Sequence, residues 1–266
     1  MKFNNLFKTF LPLIFLFCAL SSANAQPNIP KDEIPANLPK EIKNKILLLY
    51  STDAAERGNA AMQLREFRAK ALKPTVPFLM GMLHDDAPLR IPSRWVSIGG
   101  IPTSPGEESA KTLGKIGSSA VKPLIEALED DNQHVRKCAA IGLAGAKDPQ
   151  AIDPLLALFN KEPYSTVLSS VVEALGKYTD PKVIEPLIES LGDEDWAVRE
   201  KAAYAFKNIK ERKAVAPLLK LLKEAKTNDK SSIVRNAESA LGNITGLYVS
   251  YDNLEKWEEW LKQSEK

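Results

Sequence analysis

Two kinds of amphipathic segment alternate along most of the chain. In the first kind, apolar and small side chains recur at the spacing i, i+3, i+4, i+7 and i+8, which places them on one face of an α-helix. The segment HVRKCAAIGLAGA, which begins at His134, is an example. In the second kind, Leu and Ile surround a proline, as in AVKPLIEAL from Ala120. The pattern predicts helix pairs, each with a first helix rich in small residues and a second helix rich in Leu and Ile.

The prolines of the second segments recur at nearly constant intervals. Pro123, Pro154, Pro186 and Pro217 are separated by 31, 32 and 31 residues. A constant period of roughly 20–50 residues is typical of repeat proteins whose units stack in series. Because a proline inside a helix costs about 3 kcal/mol, we expect each of these four prolines in the first turn of its helix.

The same periodicity predicts where the elements lie. We expect one solenoid over residues 40–246, with a capping helix from Lys40, a disordered or extended leader at 26–39 and a C-terminal capping segment at 247–266. A ligand platform is the alternative for the tryptophans Trp257 and Trp260 of that last segment. The predicted helix pairs are 53–70 with 75–83, 107–117 with 120–129, 132–146 with 150–160, 165–178 with 181–191, and 196–209 with 212–224, followed by a helix at 231–244.

One stretch interrupts the period. Pro77 and Pro123 are 46 residues apart, and the additional residues fall in a segment at 90–108 that is rich in Pro and Gly. Insertions in repeat arrays emerge as loops on one face, which is often the binding face. Arg94 and Trp95 are therefore candidate partner contacts, and the alternative is that Trp95 folds back onto the second helices.

The N-terminal segment has the features of a secretory signal. Lys2 and Lys8 precede an apolar run from Phe10 to Leu20. The segment ends in Ala23-Asn24-Ala25, a pattern typical of a signal peptidase site. The run is about half of the roughly 20 residues that a membrane span needs, which argues against an uncleaved anchor. We expect residues 1–25 to be a signal peptide cleaved after Ala25, and the protein to be periplasmic or secreted without membrane insertion.

Charge and cysteine content narrow the function further. The chain has 36 basic and 34 acidic residues, and two of the lysines lie in the predicted signal, so the mature chain is neutral. Neutrality removes the simplest argument for nucleic acid or an anionic membrane as the partner. Cys138 is the one cysteine left after cleavage, so no internal disulfide is expected. We interpret it as a small buried apolar side chain. A reactive thiol is the alternative, against which we count the absence of a histidine near it on the same face, with His134 placed at the start of the helix.

No catalytic, cofactor or metal site is predicted. The chain has two histidines and lacks the H-x-x-x-H, C-x-x-C and G-x-S-x-G motifs. Acidic turns such as Asp130-Asp131 and Asp193-Glu194-Asp195 lack the calcium-loop pattern and are explained as helix caps. The residues therefore favour a protein that is not an enzyme.

The repeat units resemble a known family. DDNQHVRKCAAIGLAGAKDPQAIDPLLALF and DEDWAVREKAAYAFKNIKERKAVAPLLKLL are similar to HEAT repeats, in particular the short bacterial kind named after phycobilisome lyases, and the likeness extends over about 107–244. Leu168 departs from the pattern where Arg is usual. The resemblance implies an all-α fold, a right-handed α-solenoid of HEAT-like helix pairs. It also raises a bilin lyase-like enzyme or a chaperone of chromophore attachment, against which the predicted export argues, because that chemistry belongs to the cytoplasm of phototrophs.

These observations together predict an exported scaffold that binds a protein or peptide through the concave face and the inserted loop of the solenoid. A purely structural assembly factor is the alternative that the sequence does not separate from it. Aromatic residues tend to dominate interface energies, so Trp95 and Trp196 are the expected anchors. The full set of candidate partner-binding residues is Arg94, Trp95, Trp196, Lys122, Glu126, Asp153, Glu185, Glu189 and Lys220.

Overall fold

The regular structure of the described residues consists of helices. The computed structural model describes residues 26–89, 103–224, 232–250 and 253–264, and no β-strand occurs within these ranges. The chain divides into two units, one up to Pro123 and one from Leu124. None of the described helices is both long enough and apolar enough to cross a bilayer.

Unit 1 is centred on a helix that follows the inserted segment. Its helices are α1 (Lys40–Leu48), α2 (Ala54–Leu64), α3 (Ala69–Leu72), α4 (Val76–Gly81) and α5 (Pro105–Ile116). Helix α5 packs against α2 and α4, and α1 packs against α2. The side chains of Leu64, Leu79 and Leu113 are fully buried. The predicted helix at 53–70 is divided in the structure, because α2 ends at Leu64 and a turn separates it from α3.

The described part of the leader lies against unit 1. It forms one 3₁₀ turn at Lys31–Glu33 and is otherwise irregular, with Ile34 buried. The Tyr50 hydroxyl donates to the carbonyl oxygen of Ile29 at 2.5 Å. A Cβ on Gly81 would lie 2.9 Å from the backbone nitrogen of Asn28, so glycine permits the close approach of the leader to α4.

The residues on both sides of the inserted segment are held together. The backbone N–H of Leu89 donates to the carbonyl oxygen of Thr103 at 2.8 Å, and that of Gly106 donates to Asp85 at 3.0 Å. Arg57 Nε donates to the carboxylate of Asp85 at 2.6 Å, with both side chains buried. These contacts fix the two ends between which residues 90–102, outside the described residues, are inserted.

Unit 2 is a serial stack of helix pairs. The boundary between the units falls in α6 (Ser118–Ala127). The further helices of unit 2 are α7 (Gln133–Ala146), α8 (Ile152–Phe159), α9 (Ser165–Leu175), α10 (Ile184–Ser190), α11 (Trp196–Ala205), α12 (Val215–Glu224), α13 (Ser232–Thr245) and α14 (Glu255–Ser264). The first helices α7, α9, α11 and α13 pack against one another in chain order, and each second helix α8, α10 and α12 packs against the first helix that follows it. The prediction of an all-α solenoid of HEAT-like helix pairs is confirmed, while the right hand of the stack stays a prediction.

Small residues let the first helices approach one another closely. Ala139, Ala174 and Ala202 are fully buried in α7, α9 and α11. At Gly176, which directly follows α9, an added Cβ would lie 2.5 Å from the Cβ of Ala205. The first helices therefore supply the interior of the stack, as their sequence pattern predicts.

The recurrent prolines mark the starts of three second helices. A 3₁₀ turn precedes each of α8, α10 and α12. Pro154, Pro186 and Pro217 are each the third residue of the following α-helix, so the first-turn prediction is confirmed for them. It was wrong for Pro123, which is the sixth residue of α6, because that α-helix already begins at Ser118, where the later repeats have a 3₁₀ turn.

Aspartate and asparagine side chains cap the starts of the helices. Asp148 and Asp180 accept the N–H groups of Gln150 and Lys182 at 3.0 and 2.8 Å. Asn132 and Asp195 cap α7 and α11 in the same way. Such caps satisfy N–H groups that have no partner within the helix.

Helix α14 packs against α12 and α13 at the C-terminal side of the stack. Trp257 is fully buried, and its indole N–H donates to the carbonyl oxygen of Leu247 at 3.1 Å. Trp260 is half-buried and lies 5.2 Å from the guanidinium of Arg212. This arrangement covers the apolar side of the last described helix pair.

Candidate partner-binding surface

The second helices of unit 2 present one row of exposed side chains, which we call the second-helix surface. The row consists of Asp153 and Ala157 on α8, Glu185 and Glu189 on α10, and Ala216 and Lys220 on α12, all of them exposed. Four of these six residues belong to the predicted binding set. Two other residues of that set, Lys122 and Glu126, are exposed on α6.

Ion pairs between neighbouring repeats order this surface. Lys182 Nζ donates to Asp153 at 2.8 Å, and Lys213 Nζ donates to Glu185 at 2.8 Å. Lys182 and Lys213 occupy equivalent places in their repeats, in the 3₁₀ turns before α10 and α12. The hydrogen bonds to these carboxylates raise the pKa of both lysines.

The two lysines were not among the predicted site residues. The available signal was their recurrence 31 residues apart, which matches the period of the prolines. Asp153 and Glu185, which the sequence indicated as partner contacts, thus also join one repeat to the next.

A groove opens between α10 and α12. It is lined by apolar residues, among them Ile188, Leu191 and Leu221, and by charged residues that include Glu189 and Lys220. The groove has a volume of about 400 Å³. The structure therefore places two of the predicted site residues at one concave feature.

A second groove lies on the other side of α12, against α14. Leu219 and Leu261 line it together with Lys223, Glu258 and Lys262, and its volume is about 420 Å³. Lys223 Nζ lies 2.7 Å from Glu258, and this hydrogen bond lowers the pKa of the glutamate. Helix α12 thus separates two apolar grooves that have charged sides.

Trp196 does not lie on the second-helix surface. It is the first residue of α11 and is 60% exposed. Tyr164, which precedes the first residue of α9 one repeat earlier, is 50% exposed and lies 6.0 Å from the guanidinium of Arg136. The sequence singled out Trp196 and missed Tyr164, although both stand at the start of a first helix.

Arginines at the helix starts link the turns. Arg136 donates to the carbonyl oxygens of Asp130 and Asp131 at 2.9 and 3.0 Å and to the carboxylate of Glu162 in the next turn. The hydrogen bond to Glu162 raises the pKa of Arg136. Arg199 donates to the carbonyl oxygen of Asp193 at 2.5 Å. The carboxylate that pairs with Arg136 is therefore that of Glu162, while Asp130 and Asp131 contribute backbone oxygens.

The environment of Cys138 differs in one respect from the expectation. The residue is fully buried, as predicted. The statement that no histidine shares its face was wrong, because His134 Nε2 lies 3.5 Å from Cys138 Sγ, one helical turn away. Within the described ranges no group of three or more His, Cys, Asp or Glu side chains is arranged to hold a metal ion.

Two further predicted contacts, Arg94 and Trp95, lie outside the described residues. The described ends of their segment, at Leu89 and Thr103, are joined by the backbone hydrogen bond given above. The role of the inserted loop stays a prediction.

Comparison with known proteins agrees with the stacked helix pairs. The family model described as HEAT repeats matches residues 107–176 and 166–242, which together cover half of the 266-residue chain. Phycocyanobilin lyase subunit alpha of Picosynechococcus sp. is 35% identical over 144 residues, which are 53% of this chain and 47% of that protein. The chain thus spans about half the length of this curated relative.

Two solved structures are similar to the chain to different degrees. Kap95p, solved in its complex with RanGDP, is matched by 80% of this chain over 31% of its own length, with 16% identity and a TM-score of 0.55. A second similar structure is the complex of CpcE and CpcF of phycocyanin lyase from Nostoc sp. PCC7120. The match covers 89% of this chain and 99% of the matched chain in that complex, with 23% identity and a TM-score of 0.41.

These findings correct one expectation and confirm another. The prediction that the protein is not an enzyme was wrong, because its relative at 35% identity is a lyase subunit, which points toward an enzyme-like role. The resemblance to HEAT repeats of the phycobilisome-lyase type is confirmed by the family model and the curated relative. The chain belongs to the family of HEAT-repeat proteins.

Proposed function

We propose that this chain is the scaffold subunit of a lyase-type assembly and holds a protein partner on the second-helix surface of unit 2. The observation that carries the proposal is the 35% identity over 144 residues to a phycocyanobilin lyase subunit. The name of that relative describes one subunit of an enzyme. A second protein therefore belongs to the proposed assembly.

The order of the second-helix surface supports this role. Its acidic residues Asp153 and Glu185 are held by lysines of the following repeat at 2.8 Å. Side chains that are already fixed lose less conformational entropy when a partner binds. The two grooves beside α12 give the same surface apolar area that a protein partner can bury, in addition to the row of charged side chains.

The chain would contribute binding and orientation to the reaction. The relative is named for phycocyanobilin, so a bilin is the substrate class that we propose for the assembly. Holding a chromophore and its acceptor protein in one complex converts an encounter of two molecules into a step within one complex. The stacked helix pairs supply the extended surface that such an arrangement needs.

Cross-linking with mass spectrometry tests the scaffold role. With an amine-reactive cross-linker, Lys220 on α12 is expected to join the partner, and Lys220→Glu is expected to weaken partner capture. Lys210 is also exposed but follows α11, so Lys210→Glu is the matched control. Equal capture by the wild type and both variants would contradict the proposed surface.

Titration with phycocyanobilin tests the lyase part separately. In the presence of the captured partner, we expect a shifted absorbance band and, with time, a chromophore that stays attached to protein under denaturing conditions. An unchanged spectrum contradicts the bilin as the substrate class, while the cross-links still report on the scaffold.

Two predictions from the sequence belong to this proposal. Residues 1–25 are proposed as a cleaved signal peptide, so N-terminal sequencing of the mature protein is expected to begin at Gln26. Such a start would count against a bilin as the substrate class and leave the scaffold role standing, and a start at Met1 would contradict export. Trp95, which lies outside the described residues, and the exposed Trp196 at the start of α11 are proposed as further partner contacts. Replacing each by alanine is expected to weaken partner capture.

A further inference from the structure

Two positions where one repeat departs from the others create the groove between α10 and α12. The residue before the repeat proline is Lys122, Asp153 or Glu185 in three repeats and Ala216 in the fourth. Six residues after the proline, the chain has Glu129, Asn160 and Lys223 in three repeats and Gly192 in the remaining one. Ala216 and Gly192 both line this groove, so the small side chains fall where the surface opens.

Ala216 also lines the groove between α12 and α14. The exposed surface of α12 therefore has a small residue between two apolar grooves of about 400 and 420 Å³. Packed helices approach to about 8–10 Å when the residues at their contact are small enough, with side chains of one helix entering the grooves of the other. On the second helices α8 and α10, the acidic side chains of Asp153 and Glu185 stand at the equivalent place.

The charges beside the two grooves differ in sign. Glu189 stands on the α10 side and Lys262 on the α14 side. The charges on α12 and its edge are paired within the protein, with Lys220 3.8 Å from Glu224 and Lys223 2.7 Å from Glu258. A bound segment thus meets an acidic group on one side and a basic group on the other.

We propose that the exposed side of α12 binds an amphipathic helix of the protein partner. Its apolar stripe enters the two grooves, basic side chains face Glu189, and acidic side chains face Lys262. This inference rests on the proposed function and adds the kind of partner segment and its place. Recognition of a helix by a groove uses apolar residues at i, i+3, i+4 and i+7, and the opposite charges of the two sides select the direction of the helix.

Fluorescence anisotropy with a defined peptide tests the inference. The probe is a labelled peptide of about 20 residues, long enough to form a helix, with leucines at helical spacing, lysines on one flank and glutamates on the other. Ala216→Glu restores the residue type of Glu185 and is expected to weaken binding about tenfold or more. Asn59→Glu places the same charge at an exposed position of α2 in unit 1, outside the second-helix surface, and is the matched control, with unchanged binding expected.

Three results would overturn the inference: no binding of the peptide by the wild type, equal binding by Ala216→Glu, or equal binding of a peptide whose leucines are replaced by glutamine. Partner capture by the Ala216→Glu variant separates this inference from the proposed function. If the variant still captures the partner as well as the wild type does, the helix site is wrong and the scaffold role stands. If the wild type captures no partner, the proposed function fails and the helix site with it.

Discussion

Arg136 and Glu162 join the start of one helix pair to the turn that follows that pair, through two parallel hydrogen bonds. Arg136 Nε lies 2.8 Å from Glu162 Oε2, and Nη2 lies 2.9 Å from Oε1. The glutamate side chain is 1% exposed and that of the arginine 12%. In unit 1, Arg57 and Asp85 form the corresponding contact, from the first turn of α2 to the turn after α4. In both units, an arginine at the start of a first helix thus donates to backbone carbonyls of the turn before that helix and pairs with an acidic residue in the turn after the helix pair.

Glu162→Gln is expected to lower the free energy of unfolding by about 2–3 kcal/mol, because the buried guanidinium loses its charged acceptor. Urea unfolding followed by circular dichroism measures the change. Glu129→Gln is the matched control, since Glu129 pairs with Lys161 in the same region but the two side chains are 61% and 52% exposed. Its effect is expected to stay below about 1 kcal/mol. Equal losses in both variants would show that the buried pair has no special role.

A methyl group added at Gly176 is expected to destabilise unit 2. The new Cβ would lie 2.5 Å from the Cβ of Ala205 on the neighbouring first helix. Overpacking of this kind lowers the free energy of unfolding by about 1–3 kcal/mol, because the backbone and side chains must shift to make room. Gly192→Ala is the control, because its nearest atom would be the Glu189 carbonyl oxygen at 3.6 Å. Thermal unfolding should show a lower midpoint for Gly176→Ala and little change for Gly192→Ala. A stabilised Gly176→Ala protein would contradict the close approach of α9 and α11.

The sequence predicted the helix pairs well because each element carries local signals. Asp148 and Asp180 have side chains that favour the start of a helix, and in the structure both cap the turns that follow them. Tertiary pairings had no such signal. Glu162 is the acidic residue of a turn that lacks the D-D pattern of other repeats, and its burial depends on the position of Arg136 in three dimensions. The His134 and Cys138 contact was missed although their spacing of one helical turn was visible.

The candidate surface was predicted in part for the same reason. Outward positions of the second helices follow from the helical period, so Glu189 and Lys220 were identified as exposed. The groove between α10 and α12 depends on two residues, Ala216 and Gly192, that are smaller than the residues at the same positions of the other repeats. That difference becomes informative only when the neighbouring helices are placed side by side.

Tyr178 is expected to make stability fall at alkaline pH. Burial raises its pKa to about 12, and the charge of Asp148 adds to the shift. Its hydroxyl donates to the carbonyl oxygen of Leu143 at 3.3 Å. Because the unfolded chain loses this proton near pH 10 and the folded chain holds it to about pH 12, the free energy of unfolding decreases as the pH rises through this interval.

The variant Tyr178→Phe isolates this contribution. It is expected to be slightly less stable at neutral pH, by about 1 kcal/mol or less for the lost hydrogen bond. Between about pH 10 and 12 its stability should decline less steeply than that of the wild type, by up to about 1.4 kcal/mol for each unit of the pKa difference. Parallel pH profiles of the two proteins would show that Tyr178 ionises equally in the folded and unfolded chains.

The double variant Asp153→Asn, Glu185→Gln is expected to change partner binding without a matching loss of stability. The carboxylates are 72% and 67% exposed, and their lysines 59% and 68%, so solvent screens each pair and it contributes little to folding. Loss of the acceptors should also lower the pKa of Lys182 and Lys213 toward the ordinary lysine value. Thermal unfolding and partner capture measured on the same preparation distinguish the two effects. A large drop in the unfolding midpoint would mean that these ion pairs hold the repeats together, and unchanged capture with an unchanged midpoint would place the partner elsewhere on the protein.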